Sequence, residues 1–320
     1  MKTLVLSMIS IAATVAAMTA CTSESDGIDN VVNDEKVEIE MSAKVLNIET
    51  RSAGVINGTT NAIDHIAFVK KEAAKDATIT WAAETPISAE MKAGGEIDFT
   101  PDKIYYPAKE DQYAYLVGYH PSQDAQTISA DGKVPFTITG NEDIMYAGIK
   151  SGNKNTTVPL DPNFAHKLSQ LIIKIEGDAA AAAAWGNITK ISVDGISKEL
   201  ELALADGALA AKTGTTASPL ALTLSSGKTY GAIPATATEI GYCMILPQNT
   251  QHTLLVTTDN YTNKEVSITI PGDGSNRAEN ETKAGESYTV KLTFTAKDIT
   301  AKATVDTWKE VTEEGSGSVE

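Results

Sequence analysis

The chain has 320 residues, a formal net charge of −16 and only two cysteines, Cys21 and Cys243. The length predicts two domains of ordinary size. The acidity argues against a nucleic-acid partner, because phosphate binding needs a basic face. We expect acylation to occupy Cys21, so no disulfide is available to the mature monomer and folding depends on core burial.

The N-terminus predicts export as a lipoprotein. Lys2 supplies a positive start, residues 4–17 are apolar, and small residues lead to Ala20 and Cys21. This layout predicts a signal peptide over 1–20, too short to span a bilayer. The run 18–21 resembles a lipobox, which makes Cys21 the lipidation site and 21–35 a polar tether. The alternative is an ordinary signal peptide cut near a chance cysteine.

Strand patterns dominate the mature chain. Val37, Ile39, Met41 and Ala43 alternate with polar residues, as in a strand with one buried face. Further strands are predicted at 63–69, 104–106, 113–119, 134–139, 168–175, 188–193, 220–224, 239–246, 253–257, 266–270 and 287–294. The one helix candidate is 179–184, with Asp178 as N-cap and Gly186 as terminator. The fold class is therefore predicted to be all-β.

Weak similarities between the two halves favour two sandwiches. The segment 113–121 resembles 240–247, and 134–140 resembles 266–272. We predict an N-terminal β-sandwich over 36–177 and a C-terminal one over 178–320.

Motifs for catalysis or metal binding are missing from the sequence. The four histidines do not have zinc-ligand spacing, and no nucleophile elbow or phosphate loop occurs. Cys243 is expected to be a buried thiol, and 272–276 a polar turn. We predict no enzyme activity, no cofactor and no metal. Tyr105, Tyr106 and Tyr115 could stack on sugars, or they could be packing residues of a sheet.

Several segments in order resemble the fimbrillin (Mfa-like) family of Bacteroides and its relatives. Besides the lipoprotein start they are IYYP at 104–107, AYLVGYHP at 114–121, DIMYA at 143–147, FAHKLS at 164–169, LPQ at 246–248, AGESY at 284–288, and Trp308. The resemblance implies two tandem transthyretin-like β-sandwich domains. It also implies an outer membrane lipoprotein on the cell surface, in fimbriae (pili) that assemble when a protease removes a subunit's first strand and another subunit's strand fills the groove.

The segment 37–50 is the predicted removable strand. Only two arginines occur, and Arg51 follows this segment and precedes Ser52 in a stretch with flexible composition. Cleavage between them by an Arg-specific protease would release 21–51. The alternative is a stray loop arginine. Arg277 is the control. The scarcity of arginine points to Arg51 as the cleavage site only if packing protects Arg277 from the protease.

A candidate donor strand lies at 299–311. Ile299, Ala301, Ala303 and Val305 alternate with polar residues, and Trp308 follows out of phase. If this stretch fills a neighbour's groove, the protein is a stalk subunit; if it closes its own sandwich, the protein is a tip or accessory subunit.

The predicted function is thus a pilus subunit that mediates adhesion. Its expected partners are other copies or related subunits, the outer membrane through the lipid, an Arg-specific protease, and host glycans or proteins. The rivals are a solitary surface lipoprotein that binds host or dietary glycans, and a hydrolase with unidentified carboxylates.

Overall fold

The computed structural model describes residues 36–46, 62–99, 102–123, 126–156 and 158–307. The predicted signal peptide, tether and lipidation site at Cys21 lie outside the described residues. So do the predicted cleavage site at Arg51 and Ser52, and Trp308 of the predicted donor strand.

The first part of the described chain is made of strands. In chain order they are β1 Lys44–Leu46, β2 Ile63–Ala74, β3 Ile87–Met91, β4 Ile97–Phe99, β5 Gln112–His120, β6 Lys133–Thr137, β7 Met145–Gly152, β8 Asn163–His166 and β9 Ser169–Gly177.

One short helix, α1 Ala179–Trp185, precedes the remaining strands. These are β10 Ile188–Ile196, β11 Glu199–Ala203, β12 Leu209–Ala211, β13 Ser218–Ala221, β14 Thr223–Leu224, β15 Thr238–Ile245, β16 His252–Thr258, β17 Lys264–Ile268, β18 Glu286–Phe294 and β19 Ile299–Thr307. The prediction of an all-β sandwich fold is confirmed.

The helix forms where its caps predict it. The Asp178 carboxylate accepts the Ala181 N–H at 2.7 Å, and the Gly186 N–H donates to the Ala182 carbonyl. Gly186 has a φ of 74°, which glycine adopts without strain. Trp185 fixes the helix to the body of the protein, since its indole N–H donates to the Thr295 carbonyl at 2.6 Å.

The strands preceding β9, other than β6, form one seven-stranded sheet in the order β1-β8-β7-β5-β2-β3-β4. One face of this sheet lines a buried cluster that we call the N-terminal core. Its members are Ile39, Met41, Ala43, Ile63, Ile66, Phe68, Ala89, Met91, Ile97, Phe99, Ile104, Tyr106, Ala114, Leu116, Met145, Ala147, Leu160 and Phe164.

Strand β5 faces two cores, which explains its continuous apolar sequence. Ala114 and Leu116 belong to the N-terminal core, whereas Tyr115 and Val117 belong to a second, larger cluster. This main core includes buried residues of β2, β5–β7, β9–β11, β13, β15–β19 and α1, together with residues of the connecting loops such as Trp81 and Ile233. Strand β2 is shared in the same way, because alternate side chains of a strand point to opposite faces.

Three smaller sheets complete the described fold, in the orders β13-β10-β16-β17, β12-β11-β6 and β14-β15-β9-β18-β19. Strand β6 pairs with β11, and β9 pairs with β15 and β18, so pairings cross the predicted boundary between 177 and 178. The described residues form one unit by their contacts. The division into two domains at this position stays a prediction.

Candidate functional site

The segment 36–46 lies between the two edges of the seven-stranded sheet. Backbone groups of its odd-numbered residues hydrogen-bond to the stretches 95–97 and 104–106, which run antiparallel to it. The bonds are Tyr106 N–H to Val37 O (2.9 Å), Ile39 N–H to Ile104 O (2.9 Å), Ile97 N–H to Met41 O (3.1 Å) and Ala43 N–H to Gly95 O (2.7 Å).

Even-numbered residues of the same segment bond to the opposite side. These bonds are Leu160 N–H to Glu40 O (2.9 Å), Ser42 N–H to Leu160 O (2.8 Å) and Lys44 N–H to Pro162 O (3.1 Å). The segment then continues as β1, which is parallel to β8. Alternate bonding to both sides is the pattern of an interior strand. Because Ile97 begins β4 and Leu160 precedes β8, the segment closes the sheet on itself.

The inward side chains of the segment belong to the N-terminal core. Ile39 and Met41 are 3% exposed and Ala43 is 2% exposed. Val37 and Val45 are half-buried and pack against the same core. The intervening Glu40, Ser42 and Lys44 are exposed.

Two contacts fix how the segment lies across the sheet edge. The exposed Glu38 carboxylate is 2.6 Å from the Lys103 ammonium. At the closest approach, Gly95 has a φ of 98°, and a Cβ there would lie 2.3 Å from the Ala43 carbonyl oxygen. Glycine is therefore required at residue 95 for the segment to come this near.

The Arg277 side chain is held by its neighbours, whereas the turn 271–276 before it is exposed. Its guanidinium bonds Glu286 at 3.1 Å and the Pro271 carbonyl at 3.2 Å, and it lies 6.0 Å from the centre of the Tyr288 ring. Its side chain is 10% exposed. The preceding turn is held by the Asp273 carboxylate, which accepts three backbone N–H groups; these bonds lower its pKa to about 2.

The predicted donor strand closes its own sheet in this structure. β19 pairs antiparallel with β18 along its whole length, from Phe294 opposite Ile299 to Glu286 opposite Thr307. Ile299 and Ala303 are buried, and Ala301 and Val305 pack partly buried against the main core. Among the described residues β18 is its one hydrogen-bonded neighbour, so β19 is an edge strand.

The three tyrosines proposed for glycan stacking do not form one surface. Tyr106 lies in the N-terminal core and Tyr115 in the main core, each 7% exposed. The Tyr115 hydroxyl donates to the Ala74 carbonyl. Tyr105 alone is half-exposed, with the Lys36 ammonium 5.5 Å from its ring centre. The glycan prediction gains no support from these positions.

Groups that could carry chemistry are buried in structural roles. Cys243 is fully buried, and burial raises the pKa of its thiol to about 12. His166 bonds the Asp143 carboxylate at 2.8 Å, and His120 bonds the Asp143 carbonyl at 2.9 Å. In the described part of the chain no group of three or more His, Cys, Asp or Glu side chains could hold a metal ion.

Sequence reasoning missed most of the groove that holds the segment. Its walls come from 95–97, 104–106 and 160–162, of which only 104–106 was predicted as a strand. Pro159 and Pro162 beside Leu160 were the available signal, because proline in a sheet is confined largely to edge positions.

No helix in the described residues is long and apolar enough to cross a membrane. No curated protein matches the sequence.

Solved structures share the fold. A candidate cell adhesion protein from Bacteroides ovatus is 20% identical (TM-score 0.58; 85% of this chain and 98% of that one covered). One from Bacteroides uniformis is 18% identical (TM-score 0.55; 85% and 99% covered).

The architecture places the protein in the class of all-β sandwich proteins. The profile of the fimbrillin-like family matches residues 50–308, and the chain belongs to that family. Family membership supports a pilin-type role in adhesion at the cell surface, in association with other pilus subunits.

Proposed function

We propose that the protein is a structural pilus subunit, exported as a lipoprotein on Cys21 and matured by cleavage after Arg51. Its first segment leaves the groove, and a strand of another subunit takes its place. The fimbrillin-like family supports the pilin class, and the interior position of the segment 36–46 is the observation that carries the assembly step.

If the segment left, the empty groove would be unfavourable in free energy. The N–H groups of Tyr106, Ile97 and Leu160 would lose their acceptors. The carbonyls that would lose their donors are those of Gly95, Ile104, Leu160 and Pro162. Unpaired backbone groups beside an open apolar groove are unfavourable and act as a template for another strand. Strand addition at such an edge supplies both main-chain bonds and side-chain pockets.

Cleavage alone would not release the segment. Full burial of Ile39 and Met41 contributes roughly 1.5–3 kcal/mol each, before main-chain bonds are considered. A cut segment therefore stays bound until a competing strand displaces it. This makes assembly depend on both a protease and a donor.

The environment of Arg277 supports Arg51 as the point of cleavage. Proteases cut extended, accessible chain, and the Arg277 side chain is held by Glu286 and the Pro271 carbonyl. Of the two arginines in the sequence, Arg51 is the one that comes just after the segment that the proposal requires to leave.

The test is treatment of the lipid-free mature protein with an Arg-specific protease. We expect cleavage after Arg51, shown by mass spectrometry, followed by a ladder of non-covalent oligomers on unboiled gels. The matched control is Arg51→Lys, which keeps the charge and removes the cleavage site; it should remain monomeric. A cleaved protein that stays monomeric at high concentration would contradict self-polymerisation and leave a tip role.

The anchoring step has its own test. Cells supplied with labelled palmitate should incorporate the label into the wild-type protein and not into the Cys21→Ser variant. Label in the variant would contradict Cys21 as the lipidation site.

A further inference from the structure

A cavity of about 320 Å³ lies beside the irregular start of β2. None of the backbone groups that bond to the segment 36–46 belongs to its lining. The polar part of the lining consists of His65 in β2, Ser88 in β3, Tyr119 in β5, and Ser122, Gln123 and Gln126 in the chain that follows β5. The volume is at the lower end of the range of about 300–1,000 Å³ that is usual for small-molecule sites.

A β-bulge at the start of β2 shapes this cavity. The pairing of β2 with β3 changes register between Ile63 and Ile66. His65 lies between them with a φ of 57°, a conformation that is uncommon for residues other than glycine. Its carbonyl accepts the Ser122 N–H at 2.6 Å, which ties the chain after β5 to the bulge. Bulges of this kind redirect side chains next to functional sites.

A small residue between two polar ones leaves the space that the cavity occupies. Ala67 in β2 is paired with Ser88 on one side and with Tyr119 on the other. Directly paired residues point to the same face of a sheet, and all three line the cavity. Because the alanine side chain is short, it leaves a hollow between its two neighbours.

The Tyr119 hydroxyl is the observation that points to a ligand. Tyr119 is fully buried, and its hydroxyl has no hydrogen-bond partner among the described residues. Burial raises the pKa of Tyr119, so the group stays a neutral hydroxyl that can donate and accept. Buried polar groups are normally hydrogen-bonded. Since bulk water does not reach this one, its partner has to come from the cavity that Tyr119 lines.

The lining of the cavity is polar but carries no permanent charge. No Asp, Glu, Lys or Arg of the described chain belongs to it, so nothing in it would compensate a buried charge on a ligand. Gln126 is part of the wall, because its amide N–H donates to the Pro135 carbonyl at 2.8 Å and its side-chain oxygen accepts the Gln123 N–H at 3.3 Å. The hydroxyls of Ser88 and Ser122 and the amide of Gln123 can each donate and accept, as ligand hydroxyls require.

We propose that this cavity binds a neutral carbohydrate, with one sugar hydroxyl bonded to Tyr119 and another to the exposed Gln123 at the rim. Sugars combine hydroxyls with C–H faces, and Ala67 and Pro86 in the lining offer apolar surface for the latter. The volume has room for roughly one or two sugar rings. The inference goes beyond the proposed function, since it concerns what the subunit binds and requires neither cleavage nor strand exchange.

The experiment uses the uncleaved, lipid-free mature chain. The probes are an array of neutral and acidic oligosaccharides, and free glucose, galactose, mannose, fucose and N-acetylglucosamine at millimolar concentration, detected by saturation-transfer NMR. We expect a neutral sugar to bind, and its titration gives the dissociation constant used below. If no neutral sugar binds, or if acidic ones bind more tightly than every neutral one, the proposal is overturned.

Tyr119→Phe distinguishes a hydroxyl that binds a ligand from one with a structural role. It should weaken binding of the sugar about five- to tenfold, because one hydrogen bond is lost. The unfolding temperature of the free protein should stay the same or rise, because the hydroxyl has no protein partner to lose. Unchanged sugar binding, or a clear fall in unfolding temperature, would contradict the proposal.

Tyr115→Phe is the matched control in the same strand. The Tyr115 hydroxyl donates to the Ala74 carbonyl at 2.9 Å and does not line the cavity. This variant should lower the unfolding temperature and bind the sugar as the wild type does, the opposite of what we expect for Tyr119→Phe.

A second variant blocks the cavity without changing a buried residue. Ser88 is exposed in β3, and Ser88→Trp should fill the space above Ala67 and abolish detectable sugar binding. Ser267→Trp replaces an exposed serine in β17 that does not line the cavity, and it should bind the sugar normally. Sugar binding that survives in Ser88→Trp would show that the sugar binds elsewhere.

Discussion

The segment 36–46 and β19 have the same alternation of apolar and polar residues but different places in their sheets. The segment has hydrogen-bonded neighbours on both sides, whereas β19 has one among the described residues. The strand proposed to leave is thus the more enclosed one, and the strand proposed to be donated is the more accessible one. Exchange on this scheme is controlled by cleavage and competition rather than by loose packing.

The sharpest test of this contrast compares two isoleucines of nearly equal burial, Ile39 and Ile299. We expect Ile39→Ala to lower the free energy of unfolding by about 2–5 kcal/mol, because the closed sheet cannot collapse around the cavity. Ile299→Ala should cost less, because an edge strand can move inward.

Urea denaturation of the uncleaved protein measures both isoleucine variants. Thr300→Ala on the exposed face of β19 is the control and should change little. A larger loss at Ile299 than at Ile39 would reverse the comparison.

Acid should weaken the fold at β16, where a histidine is buried. His252 is 1% exposed, and burial lowers its pKa to about 4. Its neutral form stabilises the fold fully above pH 6.5. This stability is lost as the pH falls towards 4, since the unfolded chain binds a proton that the folded chain does not.

We expect a loss of about 2 kcal/mol at pH 5 from this one group. His252→Gln should flatten the dependence of unfolding free energy on pH between 7.5 and 5. Burial also lowers the pKa of His120 in β5, so part of the slope should remain in the variant. An unchanged slope in the variant would show that other groups govern acid stability.

A tight glycine in β5 tests how rigidly the N-terminal core is packed. A Cβ on Gly118 would lie 2.8 Å from the Phe68 ring and 3.0 Å from the Phe164 ring. Gly118→Ala should therefore cost about 1–3 kcal/mol, since both rings must shift. Gly148→Ala in neighbouring β7 is the matched control, because its Cβ would come no nearer than 4.0 Å to any atom. Equal changes of unfolding temperature in the two variants would mean that the Phe68 and Phe164 rings move aside at little cost.

The smallest effect is expected at the ion pair over the groove. Lys103 and Glu38 are both well exposed, so solvent screens their attraction. Lys103→Ala should leave the unfolding midpoint of the intact protein unchanged within error. A clear drop in the midpoint would show that this pair, rather than the buried side chains, holds the segment in place.

Sequence reasoning worked best where local pattern determines structure. The centres of β5, β9, β15, β16 and β18 were predicted, and so was the helix between Asp178 and Gly186. Strands β3 and β4 were missed because they are short. Strand β7 was missed because MYAGIKSG mixes glycine and polar residues with few β-branched ones.

What the sequence could not supply was the pairing of distant strands. Alternation at Val37, Ile39 and Met41 predicts a buried face but is the same in an interior strand and an edge strand. The orientation of Tyr106 and Tyr115 into two different cores depends on which sheet faces meet. These features arise from contacts between residues far apart in the chain, which no local window contains.

The double-faced strands β2 and β5 have a consequence for the lifetime of an opened subunit. Their Ala67, Val69, Tyr115 and Val117 remain anchored in the main core whether or not the groove is filled. The part of the N-terminal core that these two strands line would therefore keep its shape while the groove is empty. A subunit that has lost its first strand would then stay folded and able to bind a strand of the next subunit.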